Sequence, residues 1–179
     1  MKEVEFNAYH GTDQKCLHRI TIDGFKCKEN DEHWLGNGIY FFIEYDLAKW
    51  WTLSKHSKFG NNVDTPVVIE VELSCDSDDI VDLRVLENYN WIYKQYNEFH
   101  RNLLCCGSHK LTSNKLRCAF FDWLKEEYDI KVIVAGFHKN SSSYLQGSLL
   151  DVFNIPYVEY QVCVYDASII SIQNVKGVV

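Results

Sequence analysis

Tyr9-His10-Gly11-Thr12 closes an alternating run over residues 4–9, and Leu35-Gly36-Asn37-Gly38-Ile39-Tyr40-Phe41-Phe42 sets two glycines directly before an aromatic strand. The fold turns on reading these two stretches together. In the first, a histidine leaving a strand has its ring held by that strand. The following glycine, without a Cβ, opens its N–H and C=O to a flat ligand group such as an amide or a ribose edge. A plain turn at Gly11-Thr12-Asp13 leading into a helix stays open as the alternative. In the second, the glycines permit close or strained backbone at the entrance of a strand that would serve equally well as core.

Working outward, Thr12 or Asp13 caps a helix that carries Leu17 and Ile20 and ends near Gly24. Residues 26–36 are polar and lack a period, which predicts a mobile loop over a site. A helix is expected over 44–58, with Leu47, Ala48 and Trp51 on one face, and a strand over 65–73. Helices are expected over 85–105, its Tyr89, Trp91, Tyr93, Tyr96 and Phe99 facing the core, and over 114–128. Strands at 131–136, 158–165 and 169–172 follow, the first two separated by a loop containing Ser141-Ser142-Ser143. Strands around a helical middle predict an α+β fold, a mostly antiparallel sheet with flanking helices, in one domain over 1–179.

A content of 46% apolar residues is more than enough for a packed core. The net charge of −7 argues against coating nucleic acid by bulk electrostatics, which needs clustered Lys and Arg. No apolar run is long enough to span a bilayer, and the start of the chain does not read as a signal peptide, so neither a membrane nor secretion is expected. Seven cysteines with no paired C-x-x-C spacing read as reduced thiols of a cytoplasmic protein, with no metal site. Cys105 and Cys106 are expected to end a helix, and Asp76-Ser77-Asp78-Asp79 to be a solvated turn.

In this order, the two opening stretches resemble the ADP-ribosyltransferase superfamily, in the His-Tyr-Glu branch that includes the poly-ADP-ribose polymerases and diphtheria toxin. The likeness extends to Ala48-x-x-Trp51 and to Tyr160-Gln161-Val162-Cys163-Val164-Tyr165-Asp166, which is similar to that family's last active-site strand. About a third of the residues carry it, and 59–155 matches nothing. The resemblance implies a split antiparallel sheet and NAD as ADP-ribose donor. It also implies that His10 bonds a ribose hydroxyl, Gly11 takes the nicotinamide carboxamide through its backbone, Thr12 supports His10, and Tyr40 and Trp51 (or Trp50) cover the two nicotinamide faces. Where the family carries Glu, this chain has Gln161, which brings no charge. Glu159 lies two residues earlier, on the same strand face about 7 Å away. Either Glu159 supplies the carboxylate, or Gln161 serves an acceptor that needs no base.

The resemblance thus implies a mono-ADP-ribosyltransferase acting on a macromolecule, with a polymerase disfavoured by Gln161. The acidic composition favours a protein acceptor over nucleic acid. By analogy with small free-standing members, the role is a bacterial or phage toxin or defence effector, with an antitoxin as partner. Two alternatives are a degenerate module binding NAD or ADP-ribose and an RNA 2′-phosphotransferase. The second is disfavoured by having only Arg19, Arg84, Arg101 and Arg117 to build a phosphate pocket. Gln161→Glu is expected to keep NAD binding and raise its hydrolysis.

Overall fold

A computed structural model describes residues 2–58, 64–105, 111–138 and 157–178. Ser141-Ser142-Ser143 and Cys106 lie outside the described residues. Strand β1 (Glu3–Asp13) pairs antiparallel with β3 (Pro66–Asp76) along its whole length, from Glu3 opposite Asp76 to Asp13 opposite Pro66. That pairing extends β1 beyond the alternating run at 4–9. His10, Gly11 and Thr12 are therefore strand residues, and the turn reading of Gly11-Thr12-Asp13 is corrected.

The remaining strands are β2 (Ile39–Phe42), β4 (Ile80–Asp82), β5 (Val132–His138), β6 (Val158–Val164) and β7 (Ile170–Gly177). They form one sheet in the order β4-β5-β6-β2-β1-β3-β7. Its pairings are antiparallel except for β4 with β5. The fold is α+β, as the element pattern predicts. The parallel edge strand β4 was not expected, because three residues are too few to show a period. The helices are α1 (Gln14–Asp23), α2 (Tyr45–Lys58), α3 (Leu86–Cys105) and α4 (Ser113–Tyr128). No helix among the described residues is long and apolar enough to cross a membrane. The described cysteines whose side chains are placed are free thiols.

Strand alternation divides the core. On one face Ala8, Phe41, Ile69, Val71, Leu73, Val162 and Val164 pack with Phe25, Leu17 and Ile20 of the α1 region. On the other, Tyr40, Ile133, Ala135 and Cys163 pack under Phe99, Phe120, Phe121 and Leu124 of α3 and α4. Phe42 and Val68 pack instead with Leu47 and Ala48 of α2. Tyr40 and Phe42 share a face but belong to different clusters, so β2 is the seam between α2 and the α3/α4 pair. One expectation for α3 is corrected. Trp91, Tyr96 and Phe99 join the core, but Tyr89 and Tyr93 are 57% and 61% exposed, because α3 presents only one face to α4 and the sheet.

The start of α1 is capped by Asp13, whose carboxylate accepts from the Lys15 N–H at 2.7 Å and from the Thr65 N–H at 3.2 Å. These hydrogen bonds, that of Lys15 foremost, hold its pKa below the usual carboxylate range. Asp13→Ala is expected to cost about 1 kcal/mol, read as a lower urea midpoint at pH 7. The cap's contribution is complete above the unfolded Asp pKa near 4 and fades as pH falls through the lower folded value. Midpoints of the two proteins should therefore converge in acid; a gap that persists well below pH 3 would show the loss is not the carboxylate's.

Candidate active site

Strands β1 and β2 share one registered pair, Tyr9 with Phe42. A ladder continued from there would set Gly11 opposite Tyr40. Instead the Tyr40 carbonyl meets His10 Nδ1 at 2.8 Å. A carbonyl only accepts, so Nδ1 carries a proton and donates it to this hydrogen bond. The ring is also wedged edge-on against Phe25 and Phe41, with centroids 5.4 and 5.6 Å away. Tyr40 thus supplies a hydrogen-bond acceptor to the His10 ring, and the Thr12 carbonyl accepts from the Thr52 hydroxyl at 2.9 Å and ties β1 to α2.

Where the strands part, a cavity of about 510 Å³ opens, lined by His10, Gly11, Tyr40, Phe42, Trp51, Glu159 and Gln161. Lys26, Cys27, Lys28, His33 and Trp34 of the preceding loop complete its wall. Tyr40 is fixed by its hydroxyl, which donates to the Gly36 carbonyl and accepts from the Leu35 N–H, both at 2.8 Å. The Tyr165 hydroxyl donates to the Leu35 carbonyl at 2.5 Å. Burial pushes the phenols of Tyr40 and Tyr165 and the thiol of Cys163 well above their ordinary ranges, so at neutral pH all three are uncharged. Tyr40 therefore presents a locked aromatic ring, not an acid or a base. His33 stacks on it with centroids 5.5 Å apart and rings inclined by 27°, its Nε2–H donating to the Lys28 carbonyl. Of the two candidate tryptophans, Trp51 lines the cavity, its ring 6.2 Å from Phe42, whereas Trp50, one step along α2, does not.

On β6, Gln161 sits between Phe42 of β2 and Ala135 of β5. Glu159, two residues earlier on the same face, is 1% exposed, and the Gln161 Nε2–H donates to its Oε1 at 2.6 Å. The structure thus brings together His10, Tyr40, Trp51, Gln161 and Glu159, residues from four elements spread over 152 positions of sequence.

The glycines have reasons beyond a ligand. A Cβ on Gly11 would lie 2.3 Å from the Ala48 carbonyl oxygen, so glycine is what lets α2 pack directly on β1. A Cβ on Gly38 would lie 2.4 Å from Cys163 Sγ, and Gly36 has φ +75°. Between them, Asn37 is clamped to α4. Its N–H and side-chain Nδ2 donate to the two Asp122 carboxylate oxygens at 2.6 and 2.7 Å, and Lys125 Nζ donates to the Asn37 carbonyl at 2.9 Å and to Asp122 at 2.7 Å. Burial alone would raise the Asp122 pKa, but Lys125 and the Asn37 donors outweigh it and hold it below the usual range. The loop over 26–36 also meets α4: Cys118 Sγ donates to the Asn30 carbonyl at 3.2 Å, and Lys115 pairs with Asp31. The sequence reading gives no residue of α4 a part in the site and singles out none of Lys26, Lys28, His33 and Trp34 within the loop it sets over that site. The one available signal was the polar, aperiodic stretch 26–36.

Chemically, the cavity offers aromatic faces, a histidine ring, an amide beside a carboxylate, and two lysines on the flanking loop. No group of acidic, Cys and His residues able to hold a metal ion occurs among the described residues. No family model matches the chain. A stretch of 101 residues is 32% identical to an uncharacterized protein of Methanocaldococcus jannaschii, covering 54% of this chain and 47% of that protein. The match thus spans about half the length of that relative.

Proposed function

We propose that the chain is an NAD-dependent mono-ADP-ribosyltransferase acting on a macromolecule. The observation that carries this reading is the meeting of His10, Tyr40, Trp51 and Gln161 on one cavity at the parting of β1 and β2. Its volume suits a dinucleotide-sized ligand, for which a few hundred Å³ is usual. NAD supplies an ADP-ribosyl group on a glycosidic bond whose cleavage passes through an oxocarbenium-like state. The Tyr40 and Trp51 rings orient the nicotinamide between them. The His10 ring and the Gln161 amide hold ribose hydroxyls, and Lys26 and Lys28 offset the charge of the diphosphate. The apolar walls exclude water from the reacting carbon. The acceptor is a macromolecule of which a protein is the favoured class, and a role in conflict between bacteria and phages follows the family analogy.

The amide at the third position favours a second reading, a module that binds NAD without turnover. Calorimetry and mass spectrometry with labelled NAD separate the two. The transferase releases nicotinamide and labels an acceptor; the module binds without release. Trp51→Ala, at a position already 38% exposed, is expected to weaken NAD binding roughly tenfold while leaving the melting temperature in place, about what one aromatic contact carries. Wild-type protein that binds no NAD would remove both readings.

A further inference from the structure

Glu159 is the member of the site whose burial most needs a reason. It stands at the level of Phe137 on β5, beyond Phe42, the last paired residue of β2, and it is buried. Burying a carboxylate is costly, and an apolar residue at such a place is normally at least as stable. Its contact with Gln161 removes the usual ambiguity of a glutamine side chain, which has two orientations of nearly equal shape about its last torsion. A carboxylate accepts, so the 2.6 Å contact must be made by Nε2–H, and the carbonyl Oε1 of Gln161 is turned away from Glu159. Both residues line the cavity, with Gln161 flanked by Phe42 and Ala135.

We infer that Glu159 is a positioning residue that fixes the Gln161 amide with its carbonyl oxygen facing the cavity, giving the third position a pre-set acceptor for a ribose hydroxyl. This rests on the transferase reading above. It separates two roles the strand pattern alone leaves merged: Gln161 touches the ligand, and Glu159 acts through Gln161. A free amide spends part of its time with N–H₂ toward the ligand; one held by an acceptor does not.

The test uses the full chain and two readouts. In the first, NMR follows the side-chain amide protons of Gln161 in the free protein. They are expected to be shifted and slow to exchange in wild type and in Glu159→Gln, whose amide oxygen still accepts. They should revert to solvent-like values in Glu159→Met and in Glu159→Asp, which keeps the charge but withdraws it by one methylene. In the second, nicotinamide release is expected to fall about tenfold in kcat for the Met and Asp variants, with KM for NAD within about threefold, and to stay within about threefold of wild type for Glu159→Gln. In a Gln161→Ala background the Met substitution should change nothing further. An amide signal indifferent to Glu159→Met, or an equal loss of turnover in the Gln161→Ala background, overturns the inference. If wild type binds NAD without releasing nicotinamide, the amide signal of Gln161 in the free protein decides the inference. A wild type that binds no NAD while its Gln161 signal still responds to Glu159→Met sinks the transferase reading alone.

Discussion

Exchanging the two side chains, Glu159→Gln together with Gln161→Glu, is expected to raise nicotinamide release about 100-fold over the starting protein, with NAD affinity within about threefold, in line with what a well-placed carboxylate contributes. In the exchanged pair the carboxylate stands at the third position and the residue-159 amide can donate to it, and a hydrogen bond to the charged form favours that form. Gln161→Glu alone is a different experiment. It would set two carboxylates where a 2.6 Å hydrogen bond now runs, and such a pair shares a proton, with one of the two macroscopic pKa values pushed up. The single variant should therefore gain less than tenfold at pH 7, and its gain should grow as pH rises and the shared proton leaves. The rise in hydrolysis expected from the sequence for Gln161→Glu is thus limited by its neighbour at 159. Initial rates of nicotinamide release for the three variants between pH 6 and 9 decide it: a single variant equal to the exchanged pair at every pH would show that Glu159 has no say in the third position.

The residues lining the cavity are legible in the sequence because their chemistry is local. His10 is recognised by the glycine beside it, Tyr40 by the glycines before it, Trp51 by its helix, and Gln161 by Tyr165-Asp166 downstream. What holds them was much less legible, since it depends on register and close approach. Gly11 reads as a ligand's opening, yet its missing Cβ is filled by the Ala48 carbonyl of α2. The hydrogen bond of the His10 ring is made to the Tyr40 backbone carbonyl, and carbonyls have no signature in a sequence. Tyr89 and Tyr93 fit a buried helical face as well as Tyr96 does; which residues are covered depends on where α4 crosses α3, and the sequence does not fix that crossing.

The sharpest case is Asp122, in the segment that resembled nothing, and it carries the second large effect. Asp122→Ala is expected to lower stability by about 2–4 kcal/mol, because it leaves a half-buried Lys125 ammonium without its carboxylate and strips the Asn37 N–H and Nδ2 of their acceptor. The loss should reach the cavity. Asn37 lies between Gly36, whose carbonyl takes the Tyr40 hydroxyl proton, and Gly38, packed on Cys163. Loosening it frees the Tyr40 ring, and NAD affinity is expected to fall about tenfold even in the fraction that remains folded. The charge is a separable part of this. Asp122→Asn keeps an acceptor for the Asn37 N–H but not the ion pair, and should lose about half as much; Asp122→Ala with Lys125→Met removes the stranded ammonium and should recover part of the stability. The pH dependence has a fixed sign. Because the folded pKa of Asp122 is depressed, its contribution is complete above the unfolded value near 4 and is lost as pH falls through the folded value. Wild type and Asp122→Ala should therefore differ most at neutral pH and approach each other in acid. Urea midpoints measured from pH 2 to 7, with calorimetric NAD binding at pH 7, test both halves, and an Asp122→Ala protein as stable as wild type at pH 7 would show that the site does not depend on α4.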